Sequence, residues 1–435
     1  MRKVLLLLLA LVLVAAVAFG FVKNVIYMIG DGMSFNNLVL ASYLEGKRLT
    51  LLNTPYTGWV LTHSADSIVT DSAAAGTALL SGFKTNNGMI GMLPDGTVVP
   101  SIAEIAAKNG VKVGIVVTCR VTHATPGAVY GHVESRNDEN TLAEQLVNSD
   151  ITVVFGGGWR HFVATGGKRT DGKDLIALAK AKGFDYITTR TEMLNYHGDK
   201  VLGLFSSSHL APASERSGEQ PMLWEMVDKA LEVLSKDGAP FFLMVEGSQI
   251  DWENHGNDVY GMWQEVLEFN KAFEVALEFA ESHPDTLIVV TSDHETGGLG
   301  LSTGGYTMDI ELLRGYKKNA DWLARESGGD IEKLKSLVKE YCGVELTDED
   351  VSFIEAMKAA NPSYGYSNAI GRILSNKAKV GWTTFDHTAG PVPIFAVGPG
   401  AEHFVGVFDN TDIPRIIGRL AGYPLVYPTI EVPVQ

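Results

Sequence analysis

The sequence predicts an α/β fold, a mainly parallel central sheet flanked by helices on both faces, and two patterns carry that prediction. Short runs rich in β-branched and other apolar residues recur at 25–29, 113–118, 151–155, 241–245, 287–291 and 393–397. Unbroken apolar runs of this length suit strands covered on both faces. Between them lie amphipathic stretches such as SIAEIAAKNG and EMVDKALEVLSKDG, each ending near glycine as helices do. Strands that alternate with helices build parallel sheets.

Taken in chain order, the elements also show where chemistry collects. The first strand, VIYMIG, runs straight into Asp31. Residues 69–82, VTDSAAAGTALLSG, place an acid and a serine before a run of very small side chains. Asp71 or Ser72 reads either as a helix cap or as chemistry aimed into a cleft, because both uses exploit the unpaired N–H groups and positive dipole at a helix start. The strand at 151–155 is followed by Gly156, Gly157 and Gly158, a tight turn that lacks the spacing of either glycine-rich nucleotide motif. FFLMV leads into Glu246, and TLIVVTS into Asp293 and His294. Ligand sites of open α/β sheets form beyond the carboxyl ends of the strands, so three strand ends with metal-capable residues predict one shared site. From about 303 to 381 the composition changes to exposed amphipathic helices of mixed charge, read as a helical insertion or cap before strand pattern resumes at Pro393.

Bulk properties narrow the class. With 435 residues, 46% hydrophobic and 20% charged, the chain can bury a large core. A formal charge of -16 opposes a phosphate backbone, so no nucleic acid is expected as a specific partner. An anionic small substrate then requires locally concentrated positive charge from metals, an arginine or helix ends. Residues 1–20, MRKVLLLLLALVLVAAVAFG, combine a basic start, an apolar run and Ala16-Val17-Ala18, the pattern of an export signal with its cleavage site. The run also suffices for an uncleaved anchor, the one route to a membrane. Either form places residues 21–435, read as a single domain, in the periplasm or outside the cell. Cys119 and Cys342 are the only cysteines, which excludes a disulfide framework and leaves one bridge or two buried thiols as readings.

Further motifs add ligand types. SQIDWENHG places Asp251 and His255 four apart, on one helix face, where both can grip one metal. Asp293 and His294 are neighbours and share an ion only if the chain bends, which Thr296-Gly297-Gly298 permits. WTTFDHTAGPVP supplies His387 in a loop, and THATPGAVYGHVESR supplies His123, Thr125 and Arg136. The planar fork of an arginine can hold two phosphate oxygens at once, although spacing alone does not distinguish this from an exposed arginine.

In order, IGDGMS, VTDSAAAGTAL, HATPGAVYGHVESR, VVFGGGWRHF, MVEGSQIDWENHG, TSDHETGG and DHTAG resemble the successive motifs of the alkaline phosphatases. The resemblance covers nearly the whole chain after the leader except the helical insert. It implies hydrolysis of small phosphomonoesters through a phosphoserine on Ser72, with Arg136 clamping the phosphate and Asp71 orienting Arg136. It further implies three metals: Asp251, His255 and His387 around a first zinc; Asp31, Ser72, Asp293 and His294 around a second; and Asp31, Thr125 and Glu246 around a third, usually magnesium. Cobalt is an alternative to zinc, and His123 beside the third position is a further ligand that would shift it toward zinc or cobalt. His123 and Trp252 occupy variable positions of the family; an apolar Trp252 in place of a lysine implies weaker phosphate binding. The family is commonly homodimeric. A phosphodiesterase or phosphonate hydrolase of the same superfamily is the alternative reading, and a non-catalytic secreted phosphate-binding module the remote one. A sulfatase is excluded because Ser72 lacks a C/S-x-P-x-R context.

Overall fold

The structure is a computed structural model that describes residues 22–424. The leader, with its reading as signal or anchor, lies outside the described residues. Among those described, no helix is long and apolar enough to cross a membrane.

One sheet organises the chain. Its strands are β1 (Asn24–Gly30), β2 (Tyr56–Leu61), β3 (Lys112–Arg120), β4 (Val153–Gly157), β5 (Asp185–Ile187), β6 (Val201–Leu204), β7 (Phe241–Gly247), β8 (Thr286–Thr291), β9 (Val392–Val397) and β10 (Gly406–Asp409). Their order is β10-β2-β9-β8-β1-β7-β3-β4-β6-β5. From β8 across to β5 all neighbours are parallel, as expected. The strand at 393–397 is present as β9 but runs antiparallel to both β8 and β2. Four strands have no counterpart in the apolar runs. β2 exposes alternate residues, and β5, β6 and β10 are only three or four residues long.

The centre of the sheet positions the site. Every residue of β1 is buried, as its unbroken apolar run requires. Its register pairs Gly30 with Gly247 of β7 and Ile29 with Thr291 of β8. Asp31, Ser248 and Ser292 therefore leave the sheet side by side at one edge. Two helices bring further groups there: α1 (Ser72–Ser81) and α2 (Gln249–His255). The long α3 (Val259–Ser282) then packs back across one face.

The region from 303 to 381 is helical, as expected, with α4 (Ile310–Arg314), α5 (Ala320–Ser327), α6 (Ile331–Cys342), α7 (Asp348–Ala360) and α8 (Gly365–Lys377). Its apolar stripes are not left to solvent. Leu323, Leu334, Val338, Ile354 and Ile370 are buried in the same cluster as Val266, Phe269 and Phe273 of α3. Full burial of each such side chain stabilises by about 1.5–3 kcal/mol, so the insert is built onto the core. Cys342 lies in this cluster and Cys119 near the metal-capable residues, both buried and free. The single-bridge reading is thereby corrected to two buried thiols.

Candidate metal centre

Local geometry resolves the double reading of residues 69–82. Asp71 has extended backbone and caps α1, its Oδ1 accepting from the Ala74 N–H at 2.9 Å. Its Oδ2 accepts from Arg136 Nη1 at 3.0 Å and from the Gly88 N–H at 3.1 Å. One acid therefore starts the helix and aims the arginine. Ser72 follows as the first helical residue, 2% exposed, with Oγ 3.2 Å from His294 Nε2. The small residues behind it allow close approach: a Cβ on Gly76 would stand 3.4 Å from Thr125 Cα. Thus the same helix that presents Ser72 rests against the segment that presents Thr125.

Around Ser72 the acids and imidazoles gather as the strand ends predicted. Asp31, Asp293 and His294 lie close enough to share an ion, and so do Asp251, His294 and His387. His294 Nε2 is 3.4 Å from Asp31 Oδ1 and 3.2 Å from Asp293 Oδ2. The chain does bend after Asp293, whose Oδ1 accepts both from the His294 N–H at 3.0 Å and from the Gly32 N–H at 3.1 Å. Asp251 and His255 share a face of α2, with His255 Nε2 3.4 Å from Asp251 Oδ2 and 3.2 Å from His387 Nε2. Glycine is required in this crowd at Gly32, where φ is +68° and a Cβ would come within 2.7 Å of Asp251 Oδ1.

The imidazoles are oriented from behind. His255 Nδ1 meets the Phe385 carbonyl at 2.5 Å, His387 Nδ1 the Thr70 carbonyl at 2.9 Å, and His294 Nδ1 the Thr296 hydroxyl at 3.2 Å. An Nδ1–H spent on an oxygen leaves the Nε2 lone pair free, and in all three rings Nε2 faces the carboxylates. Such lone pairs facing carboxylate oxygens repel unless a cation or a proton sits between them. That donor set, imidazole mixed with carboxylate, suits zinc.

A third group of buried atoms has no hydrogen-bond partner: both oxygens of Asp31, Thr125 Oγ1, Glu246 Oε1 and His123 Nδ1. Glu246 Oε2 is already occupied, accepting from Ser248 Oγ at 2.7 Å and from Cys119 Sγ at 3.2 Å. Asp31, Thr125 and Glu246 each keep an oxygen without a partner, and Glu246 lies near enough to both others to act on them, an oxygen set that suits magnesium. His123 contributes differently. Its Nε2 lies 3.5 Å from Arg136 Nη2, and burial followed by the charge of Arg136 holds its pKa well below the usual value. A neutral ring that accepts at Nε2 carries its proton on Nδ1, an N–H with no partner among the described residues.

Burial and mutual repulsion dominate the titration of the cluster. Burial, reinforced by Asp293, Asp251 and Glu246, pushes Asp31 well above the carboxylate range. Burial lifts Glu246 to about 7 and Asp293 to about 6. Burial also opposes charge on His255, but the Asp251 carboxylate outweighs it and raises the ring to about 9. A metal must displace that proton. Apparent zinc affinity of the metal-stripped protein should accordingly rise with pH and level off above about pH 9, by up to tenfold per unit for each proton displaced. Competition titrations with a zinc indicator between pH 6 and 10 check this, and a flat profile would contradict it.

Several residues support the site in roles the sequence motifs did not assign. Thr296 Oγ1 donates to Asp251 Oδ1 at 2.5 Å, and Asn254 Nδ2 donates to the Gly32 carbonyl at 2.9 Å. From α8, Arg372 donates to Asn257 Oδ1 at 2.6 Å and to the Trp382 carbonyl at 3.0 Å, and its guanidinium lies 4.5 Å over Phe385. Arg372 thus ties the turn after His255 to the segment before His387. Arg372, with Ser375 donating to the Asn257 carbonyl at 2.7 Å, is where the helical region braces the metal centre.

A parallel sheet with a cluster of buried carboxylates, imidazoles, a serine and an arginine at its carboxyl edge defines a metal-dependent hydrolase. Residues 22–423 match the family model described as Alkaline phosphatase. The chain is 36% identical to Alkaline phosphatase 4 of Bacillus subtilis, covering 92% of this chain and 88% of that one, and 35% identical to Alkaline phosphatase 3 of the same organism, covering 92% and 89%. It superposes on the crystal structure of the Thermus thermophilus alkaline phosphatase with a TM-score of 0.85 at 30% identity, covering 93% and 92%. For the cold-active alkaline phosphatase from a psychrophilic Shewanella sp. the TM-score is 0.82 at 32% identity, covering 92% and 99%. The chain belongs to the alkaline phosphatase family. It is an enzyme that hydrolyses phosphate monoesters, with a metal-dependent site and small phosphate esters as substrates.

Proposed function

We propose that hydrolysis proceeds through a phosphoserine on Ser72, with Arg136 binding the transferred phosphoryl group. The observation that carries this reading is the position of Ser72 Oγ, at the start of a buried helix, 3.2 Å from His294 Nε2 and directly after the Asp71 that holds the Arg136 guanidinium. Arg136 keeps its fork aimed because Asp71 holds one terminal nitrogen, and a fixed fork can bind two phosphate oxygens without first being ordered. The Ser72 oxygen attacks phosphorus in line and the alcohol departs. Water then attacks the phosphoserine from the vacated side, releasing phosphate and restoring the serine. The positive end of α1 favours the anionic form of the Ser72 oxygen.

Asp251, His255 and His387 are the residues proposed to hold a first zinc or cobalt, and Asp31, Asp293 and His294, with Ser72, a second. Asp31, Thr125 and Glu246 are proposed to hold magnesium. When bound, such ions lower the pKa of attacking oxygens and stabilise charge on leaving ones. The orphaned oxygens of the third group support magnesium there, and His123 could join them only by giving up an Nδ1 proton. A solved structure of the TAB5 enzyme describes a histidine-to-glutamate mutant with Mg bound in the M3 site. Export directed by residues 1–20 and a homodimeric assembly complete the proposal, supported by the leader pattern and the family resemblance respectively.

Metal removal tests the centre. Chelation should abolish hydrolysis of 4-nitrophenyl phosphate. Zinc or cobalt with magnesium should restore it, and magnesium alone should not. Turnover that survives exhaustive chelation, or full recovery with magnesium alone, would refute the assignment.

A further inference from the structure

Beside the metal centre, on the same edge of the sheet, the next three strands each deliver a basic residue that the hydrolytic reaction leaves unused. Arg120 ends β3, Arg160 follows β4 and His209 follows β6. The expected tight turn at Gly156–Gly158 is instead the end of β4, with only Gly158 beyond it, and these glycines make the approach possible. A Cβ on Gly157 would overlap the Ser208 carbonyl oxygen at 2.0 Å, and one on Gly158, where φ is +99°, would crowd Arg120 Cβ at 2.9 Å. Backbone bonds from Gly158 to the Ser206 carbonyl at 2.9 Å and from Arg160 to the Ser207 carbonyl at 3.4 Å hold the two loops together.

This basic cluster adjoins the proposed phosphate clamp. His123, in contact with Arg136, has its ring centroid 5.5 Å from that of His209, which in turn lies 4.1 Å from Trp252. His209 Nε2 meets Arg120 Nη1 directly. Charge within the cluster is unbalanced. Arg120 is paired with Glu139 at 2.6 Å. Arg160 is half-buried, donates through Nε to His161 Nε2 at 3.1 Å, and has no ion-pair partner among the described residues. Its two terminal nitrogens have no acceptor there either. Glu139 is already held by Arg120 and lies 3.4 Å from His161 Nε2, and burial, followed by Glu139 and the neighbouring cations, sets His161 at about 4. In a chain of formal charge -16, a guanidinium whose terminal nitrogens have no acceptor among the described residues, in a basic cluster that reaches the proposed clamp through His209 and His123, is an attractor for a second anion.

We propose that Arg160, backed by Arg120 and His209, forms a second anion subsite that receives an anionic group on the alcohol portion of the substrate. The enzyme then favours phosphomonoesters that carry a second phosphate or carboxylate several bonds from the hydrolysed ester. This rests on Arg136 as the clamp for the transferred phosphoryl group.

The test uses the metal-loaded enzyme and compares kcat/KM for fructose 1,6-bisphosphate with that for fructose 6-phosphate, per hydrolysable ester. The ratio should exceed about five in the parent and fall to about one in Arg160→Ala, with Arg160→Lys recovering part of it. Arg160→Gln, which keeps a donor toward His161, serves if the alanine variant does not fold, and should behave as alanine does. A parent ratio near one, or a ratio unchanged within twofold in the alanine or glutamine variant, would overturn the subsite, including the case in which both substrates suffer equally. Arg136→Ala separates the two readings: if it leaves fructose 6-phosphate turnover intact the clamp fails, whereas the Arg160 ratio still reports on the second anion.

Discussion

Replacing Ser72 with alanine is expected to lower kcat for 4-nitrophenyl phosphate by at least about a thousandfold while leaving fold and metal content intact. The separation follows from the division of labour at the start of α1. Asp71, not Ser72, supplies the cap, so alanine at the next position removes no helix-terminating bond. Ser72 Oγ makes one side-chain contact, with His294 Nε2. Alanine already follows at three successive positions and is the best helix former, so the stability change should stay within about 0.5 kcal/mol. Chemistry has no such reserve. Among nearby hydroxyls, Thr125 belongs to the third group and Thr296 is committed to Asp251. Steady-state kinetics, metal analysis and mass spectrometry of acid-quenched enzyme check the result. The parent should carry a phosphate on Ser72 and the variant none. A variant within tenfold of the parent would mean that water attacks the ester directly.

What the sequence discloses about this protein depends on whether a residue's role is local. The central strands are legible because each is a continuous apolar run, and burial on both faces demands that. Their metal-capable ends are legible for the same reason: Asp31, Glu246, Asp293 and His294 stand where an apolar run stops. Position 71 is legible as a cap, yet its second task depends on Arg136, 65 residues away. The supporting shell is less accessible still. Thr296 and Asn254 lie inside quoted motifs but their tasks, like that of Arg372, are not local, since each acts through a contact 45 or more residues distant in sequence or on the backbone of another segment. Edge strands fail for a different reason. β2 faces solvent on alternate residues and the shortest strands hold too few residues to show a period. The helical insert displays its amphipathic stripes plainly, but a stripe does not name the surface that covers it, and α3 does so here.

Asp31→Asn is expected to move the metal-free and metal-loaded proteins in opposite directions. Asp31 is fully buried, and neither carboxylate oxygen has a hydrogen-bond partner. Burial and the nearby charges of Asp293, Asp251 and Glu246 all penalise its ionised form. Carboxyl groups held above their unfolded values stabilise the fold below the unfolded pKa, and that stability is lost as pH rises through the folded one. With Asp293 at about 6 and Glu246 at about 7, the metal-free enzyme should therefore weaken between pH 4 and 8. Asparagine keeps the shape and removes one charge, so metal-free Asp31→Asn should melt a few degrees higher than the parent at pH 8 and differ little at pH 5. Metal-loaded protein reverses the order. There the same carboxylates are the proposed metal ligands, and a neutral amide at a position shared by the second and third groups should weaken metal binding by at least about tenfold and cut kcat by about a hundredfold or more. Calorimetry of both forms at pH 5 and pH 8 distinguishes the cases. A metal-free variant less stable than the parent at pH 8 would mean that the carboxylates do not repel one another in the empty fold, and the repulsion that a bound cation is argued to relieve would be absent.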